Sequence, residues 1–231
     1  MSDELNIFSG LLLEWPTRQI QRDDLLRDRQ LRFDCEIAGS KWERFVYTSE
    51  LAFKGEDLYG AKPPFRYPIV ARRSGHRILL LSLAKRIIDH MVEGKLNQVF
   101  PPYFRRVSIA VDALVKAMVS KPTVYSLTFV HARVPAFGAS LRSVSFYGDD
   151  LTEAALFRDN VAVMNFFTCG LRYAAGGPEL MRVGGDGSIS FYMGTPKVVQ
   201  EVESALRFLR AEGYLSSDIF PADRQSDPKT L

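Results

Sequence analysis

Asp149 and Asp150 follow the alternating segment Ser145-Phe146-Tyr147-Gly148, and Asp186 stands in the later turn Gly184-Gly185-Asp186-Gly187. Carboxylates supplied by a strand end and a neighbouring hairpin can share one divalent cation, because such ions take hard oxygen ligands. The ion would clamp nucleotide phosphates and support phosphoryl transfer. A plainer account competes with that chemistry. Gly-Asp-Gly is ordinary hairpin-turn material, and Asp150 with Glu153 three residues on is a helix-capping pattern.

The acidic arrangement resembles the palm of nucleotide cyclases and polymerases, in which an aspartate closes one strand and a Gly-Gly-Asp turn supplies the next acid. The resemblance covers the stretch from Ser145 to Gly187 and implies a metal-dependent nucleotide-handling enzyme using Asp149, Asp150 and Asp186, with a divalent metal as cofactor. It departs from the family at Gly187, where a second acid belongs, and in the short stretch between the two motifs.

A second candidate is basic. Residues 61–123 carry 12 Lys and Arg against 3 Asp and Glu, whereas residues 1–60 carry 8 against 12 and residues 124–231 carry 10 against 12. The small net charge of +3 therefore conceals a strongly cationic middle. Arg72, Arg73, Arg77, Lys85, Arg86, Arg105 and Arg106 are the candidates for pairing with phosphates. If they share a face, they bind polyanions by displacing condensed counterions. Compensation by the acidic first segment is the competing expectation. Aromatic residues adjoin several of these cations, as in Phe65-Arg66-Tyr67 and Tyr103-Phe104-Arg105-Arg106, and base stacking beside cations is how single strands are often held.

Other motifs are weaker. Gly55 to Lys62 approximates a phosphate loop, but Lys62 is one place late and Pro63-Pro64 follows it. His76, His90 and His131 show no metal-ligand spacing. His131 alternates with Tyr125, Leu127, Phe129 and Arg133, which would let it meet a ligand beside Arg133, although a structural histidine is the simpler account. Cys35 and Cys169 lack CxxC spacing, so buried thiols in a reducing cytoplasm are expected.

The elements that must position these residues follow from periodicity. Leu31–Ile37 alternates apolar and charged residues, and with Trp42–Thr48 it predicts a first hairpin. Further hairpins are predicted at 66–72 with 77–81, at 124–134 with 141–147, and at 179–183 with 188–193. Helices are predicted along the stripe Leu80, Ala84, Ile87, Ile88, Met91; from Pro101-Pro102 along Val107, Val111, Leu114, Val115, Met118; from Asp150 to about Thr168; and from Thr195 to Gly213. A loose tail is expected after Ile219.

Hairpins each followed by a helix predict an α+β fold, an antiparallel sheet with helices packed on one face. Two readings of the sheet compete: two similar halves, residues 1–120 with the basic segment and residues 121–231, or a single continuous sheet. With 46% apolar and 25% charged residues the chain is neither disordered nor a disulfide scaffold. The acidic start lacks a signal peptide pattern, and the longest unbroken aliphatic run, Ile78–Leu81, is too short for a membrane span. The sequence therefore predicts a cytoplasmic, non-catalytic subunit of a larger assembly that binds nucleic acid or another polyanion. The alternatives are the metal-dependent enzyme and a protein-interaction subunit docking on an acidic partner.

Overall fold

The run Ile7–Glu14, IFSGLLLE, has no polar alternation, the pattern of a strand buried on both sides. It is β1, and it lies near the middle of the sheet. The computed structural model describes residues 7–15, 18–27, 29–38, 40–52, 63–92, 104–121, 123–135, 143–173, 181–192, 204 and 207–209. The other strands are β2 (Leu31–Glu36), β3 (Trp42–Ser49), β4 (Phe65–Ser74), β5 (Arg77–Ser82), β6 (Arg105–Arg106), β7 (Tyr125–Arg133), β8 (Val144–Tyr147), β9 (Asn165–Tyr173), β10 (Met181–Gly184) and β11 (Ser188–Tyr192). Short helices accompany them: α1 (Arg22–Leu26), α2 (Lys85–Met91), α3 (Val111–Ser120) and α4 (Ala155–Asn160).

The eleven strands of the described residues form one sheet, in the order β2-β3-β4-β5-β1-β11-β10-β9-β7-β8, with β6 also paired to β1. Every pairing is antiparallel. β11 pairs with β1 from Ile7 to Leu11, and β6 takes over the same edge at Leu13 and Glu14. The sheet is continuous between the two expected halves.

Successive side chains of a strand point to opposite faces, and β1 supplies a core on each. Leu11 and Leu13 join Ile78 and Leu80 of β5 and Ile87, Ile88 and Met91 of α2, on what we term the front face. Leu12 joins Leu79 and Leu81 of β5 and Val111, Leu114, Val115 and Met118 of α3, on the back face. The expected arrangement of helices packed on one face is therefore overturned. Among the described residues the fold is a large antiparallel sheet with few, short helices, one set on each side.

Two predicted helices are also corrected. The helix expected from Pro101 begins only at Val111, because Arg105 and Arg106 extend the sheet as β6 and the Val107 amide donates to the Leu12 carbonyl at 2.9 Å. The helix expected from Asp150 to Thr168 is a 3-10 turn (Leu151–Glu153), α4 and a second 3-10 turn (Val161–Val163), after which β9 begins. β-branched and aromatic residues suit a pleated surface, and Phe166, Cys169 and Leu171 of β9 fill the back core. The stripe at Leu80 becomes strand up to Ser82 and helix from Lys85. The phosphate-loop-like stretch, most of the helix expected at 195–213 and the tail lie outside the described residues.

Candidate functional site

The three candidate acids do not converge. Asp186 Oδ1 accepts from the Ser188 amide at 3.1 Å and from Ser188 Oγ at 2.5 Å, an ordinary turn closure. Its Oδ2 meets Arg106 Nη1 at 3.3 Å and Lys85 Nζ at 4.0 Å. Desolvation acts to raise the Asp186 pKa, but the Ser188 hydrogen bonds and the charges of Lys85 and Arg106 outweigh it and hold the carboxyl below its usual value. Asp150 caps the first 3-10 turn, accepting from the Thr152 amide at 3.0 Å, and is likewise held low despite desolvation. Asp149 pairs with Arg172 at 3.1 Å.

On β9 the partner of Gly184 is Thr168, whereas Asp149 is bound by Arg172. Four residues of strand separate those levels by roughly 13 Å, whereas ligands of one ion lie within about 2.6 Å of it. Among the described residues no cluster of three or more His, Cys, Asp or Glu could hold a metal ion.

The basic candidates are largely matched by carboxylates. Arg73 Nε and Nη2 bind Glu43 at 2.7 and 2.8 Å. Arg77 lies 3.6 Å from Glu14, and Lys85 lies 2.9 Å from Asp89. Arg106 bridges Asp89 at 3.1 Å and Asp186. Arg72 is buried beside them, its Nη1 donating to the Arg73 carbonyl at 3.2 Å. Arg86 and Arg105 are exposed. The acidic first segment thus supplies much of the compensation, through Glu14 and Glu43.

The structure assembles a different constellation on the front face beyond β1. The register lines up Ser9, Ser190, Arg182, Gly170, Phe129 and Tyr147 as one row across β1, β11, β10, β9, β7 and β8. Gly170 carries no side chain, and Arg182 extends over that gap. Its guanidinium lies 4.5 Å from the Phe129 ring centroid and 5.5 Å from that of Tyr192. Phe129 in turn meets Tyr147 at 4.8 Å between centroids, and Tyr147 is 69% exposed. A stripe Tyr192-Arg182-Phe129-Tyr147 results.

The next row places Thr168, His131 and Ser145 side by side. His131 Nδ1 lies 2.7 Å from Ser145 Oγ, and its ring meets Phe167 edge-on at 4.4 Å. Arg133, two residues on, is exposed. Two bulges create this face. Leu127 opposes Leu171 and Phe129 opposes Gly170, so Thr128 is an extra residue on β7. On β9 Phe167 is extra, between the partners of His131 and Ala132. The alternation expected from Tyr125 to Arg133 therefore breaks. Tyr125 and Leu127 enter the back core, whereas Phe129, buried at 7% exposure, and the half-buried His131 lie on the front side. The described helices pack into the two cores, away from this stripe.

Sequence reading picked out His131 and Phe129 but not Arg182, Tyr192 or Tyr147, which come together only through long-range pairing. Phe129 is buried at 7% exposure, so the exposed Tyr147 and the half-buried Tyr192 supply the ring faces and Arg182 the positive charge, the chemistry that stacks bases and neutralises phosphates. Comparison with protein-family models and with curated proteins finds no match for this chain.

Proposed function

We propose that this chain is a non-catalytic, single-stranded nucleic-acid-binding protein whose platform is the front face of β7 to β11. The reading rests on the Tyr192-Arg182-Phe129-Tyr147 stripe, in which the buried Phe129 ring supports Arg182 and the exposed Tyr147 across neighbouring strands. Bases stack on the exposed Tyr147 and on Tyr192, while Arg182 and Arg133 meet the backbone phosphates. Stacking favours single strands, whose bases offer free faces, over duplexes. No helix among the described residues is long and apolar enough to cross a membrane. A cytoplasmic setting goes with this reading, supported by the unbridged thiols of Cys35 and Cys169.

Fluorescence anisotropy with labelled single-stranded RNA and DNA, against a duplex of the same sequence, tests the proposal. The single strand binds more tightly than the duplex, and Tyr147→Ala costs about 1–3 kcal/mol of affinity, the range for one stacked base. Equal binding of single and double strands, or an unchanged affinity in Tyr147→Ala, removes it.

A further inference from the structure

The sheet ends differently on its two sides. β2 closes one side with Arg32, Asp34 and Glu36 exposed and with a bulge between Phe33 and Cys35, devices that keep an edge strand from pairing with other chains. β8 closes the other side as Val144-Ser145-Phe146-Tyr147, with no charge, no proline and no bulge in its register with β7. Among the described residues no strand pairs with its outer edge.

One bond fixes which backbone groups of β8 point outward. The Gly148 amide donates to the Thr128 carbonyl at 3.0 Å, so Gly148, Phe146 and Val144 turn their backbone groups toward β7, and alternation turns those of Ser145 and Tyr147 away from it. The side chains of Ser145 and Tyr147 are exposed on the front face. Phe146 is half-buried behind the strand, its ring centroid 5.5 Å from that of Phe157. Two exposed charges flank the strand. Arg133, at the end of β7, forms no ion pair among the described residues. Asp149 is 98% exposed, and only its Oδ1 is held by Arg172.

We propose that β8 pairs antiparallel with β8 of a second copy of this chain, about a two-fold axis through Phe146 and normal to the sheet. Ser145 then faces Tyr147 of the partner subunit, and the two symmetric pairs exchange four backbone hydrogen bonds. The two Phe146 residues meet on the axis as a non-hydrogen-bonded pair, where side chains approach most closely and aromatic pairs add stability. Charge selects this register. Ala132 lies beside Val144, so Ser143 lies beside Arg133, and Ser143 faces Asp149 of the partner subunit. Arg133 has two strand spacings to span over a small residue, roughly 10 Å, to reach that carboxylate. Arg182 bridges the same span over Gly170 to Phe129. Symmetry makes the ion pair twice, whereas a shift of two residues leaves both charges unmatched. A guanidinium has five N–H donors, so the pairing leaves Arg133 able to meet a phosphate as well. The inference does not depend on the sheet-face reading, and both front faces stay on one side of the joined sheet.

Sedimentation velocity over a concentration series, on the protein alone, tests the contact. The wild type passes from monomer to dimer as concentration rises. Ser145→Pro deletes an outward N–H that the monomer does not use, a place where an edge strand tolerates proline. Arg133→Glu sets like charges against each other on both sides of the axis. Each variant raises the dimer dissociation constant by about tenfold or more, and adding Asp149→Arg to Arg133→Glu restores the dimer. Both single substitutions lie at exposed positions, so one folded variant suffices. A monomer at every concentration, or a dimer that the folded variants leave unchanged, overturns the proposal.

Discussion

Arg182 reaches over Gly170 of the intervening strand to place its guanidinium 4.5 Å from the Phe129 ring. The contact depends on a planar, delocalised cation, which a lysine ammonium does not reproduce. Arg182→Lys keeps the charge and removes the stack. Affinity for a single-stranded oligonucleotide is expected to fall by about 1 kcal/mol, while the slope of affinity against salt stays the same. Anisotropy titrations at several salt concentrations measure both.

Asp186 is occupied by Arg106, Lys85 and Ser188, and it stands well away from Asp149. Magnesium or manganese is therefore expected to leave thermal stability unchanged, with or without nucleotide, and equally so in Asp186→Ala. The variant itself loses about 1 kcal/mol at most, since half-exposed ion pairs contribute little. A divalent-ion stabilisation present in the wild type and absent in Asp186→Ala would revive the acidic site.

Gly187 closes the β10–β11 turn with φ +80°, and a Cβ placed there would lie 2.4 Å from the Val107 carbonyl oxygen and 3.1 Å from that of Leu12. Both backbone strain and overlap oppose any side chain. Gly187→Ala is expected to cost about 2–3 kcal/mol, read as a lowered midpoint in urea denaturation.

Desolvation tends to raise the Glu43 pKa, yet the bonds from Arg73 and Arg22 prevail and hold it below the ordinary value. A carboxyl whose folded pKa is depressed adds stability above its unfolded pKa and loses that contribution as pH falls through the folded value. Glu43→Gln should lower stability at neutral pH by about 2–3 kcal/mol, because the Arg73 pairing with Glu43 is lost and Arg22 keeps only Glu36. It should also flatten the decline on acidification. Denaturant melts from neutral pH down into the acid range compare the two proteins.

The hairpins β2–β3, β4–β5, β7–β8 and β10–β11 were legible because each alternates apolar and polar residues or turns at glycine. β1 was not, because Leu11, Leu12 and Leu13 are all buried and a strand covered on both sides has no period. Helices were overread for a related reason. Val107 fits a helical stripe, but its amide bonds to Leu12, far away in sequence. Charge read along the chain revealed the cationic middle but not its partners, since Glu43 lies 30 positions from Arg73. Alternation exposed Phe129 and His131 as one face, and the bulge at Thr128 then removed Tyr125 and Leu127 from it. Bulges of this kind leave no local sequence mark.

The place of β1 in the sheet also governs when the protein can be completed. Ser9 and Ser190 share a hydrogen bond across 181 positions of sequence, so the edge of β1 that β11 covers stays bare until the β10–β11 hairpin has been made. An open edge of that kind invites pairing with other chains, and closure over such a distance is slow. The chain is thus most open to such edge pairing at Ser9–Leu11 until β11 docks there.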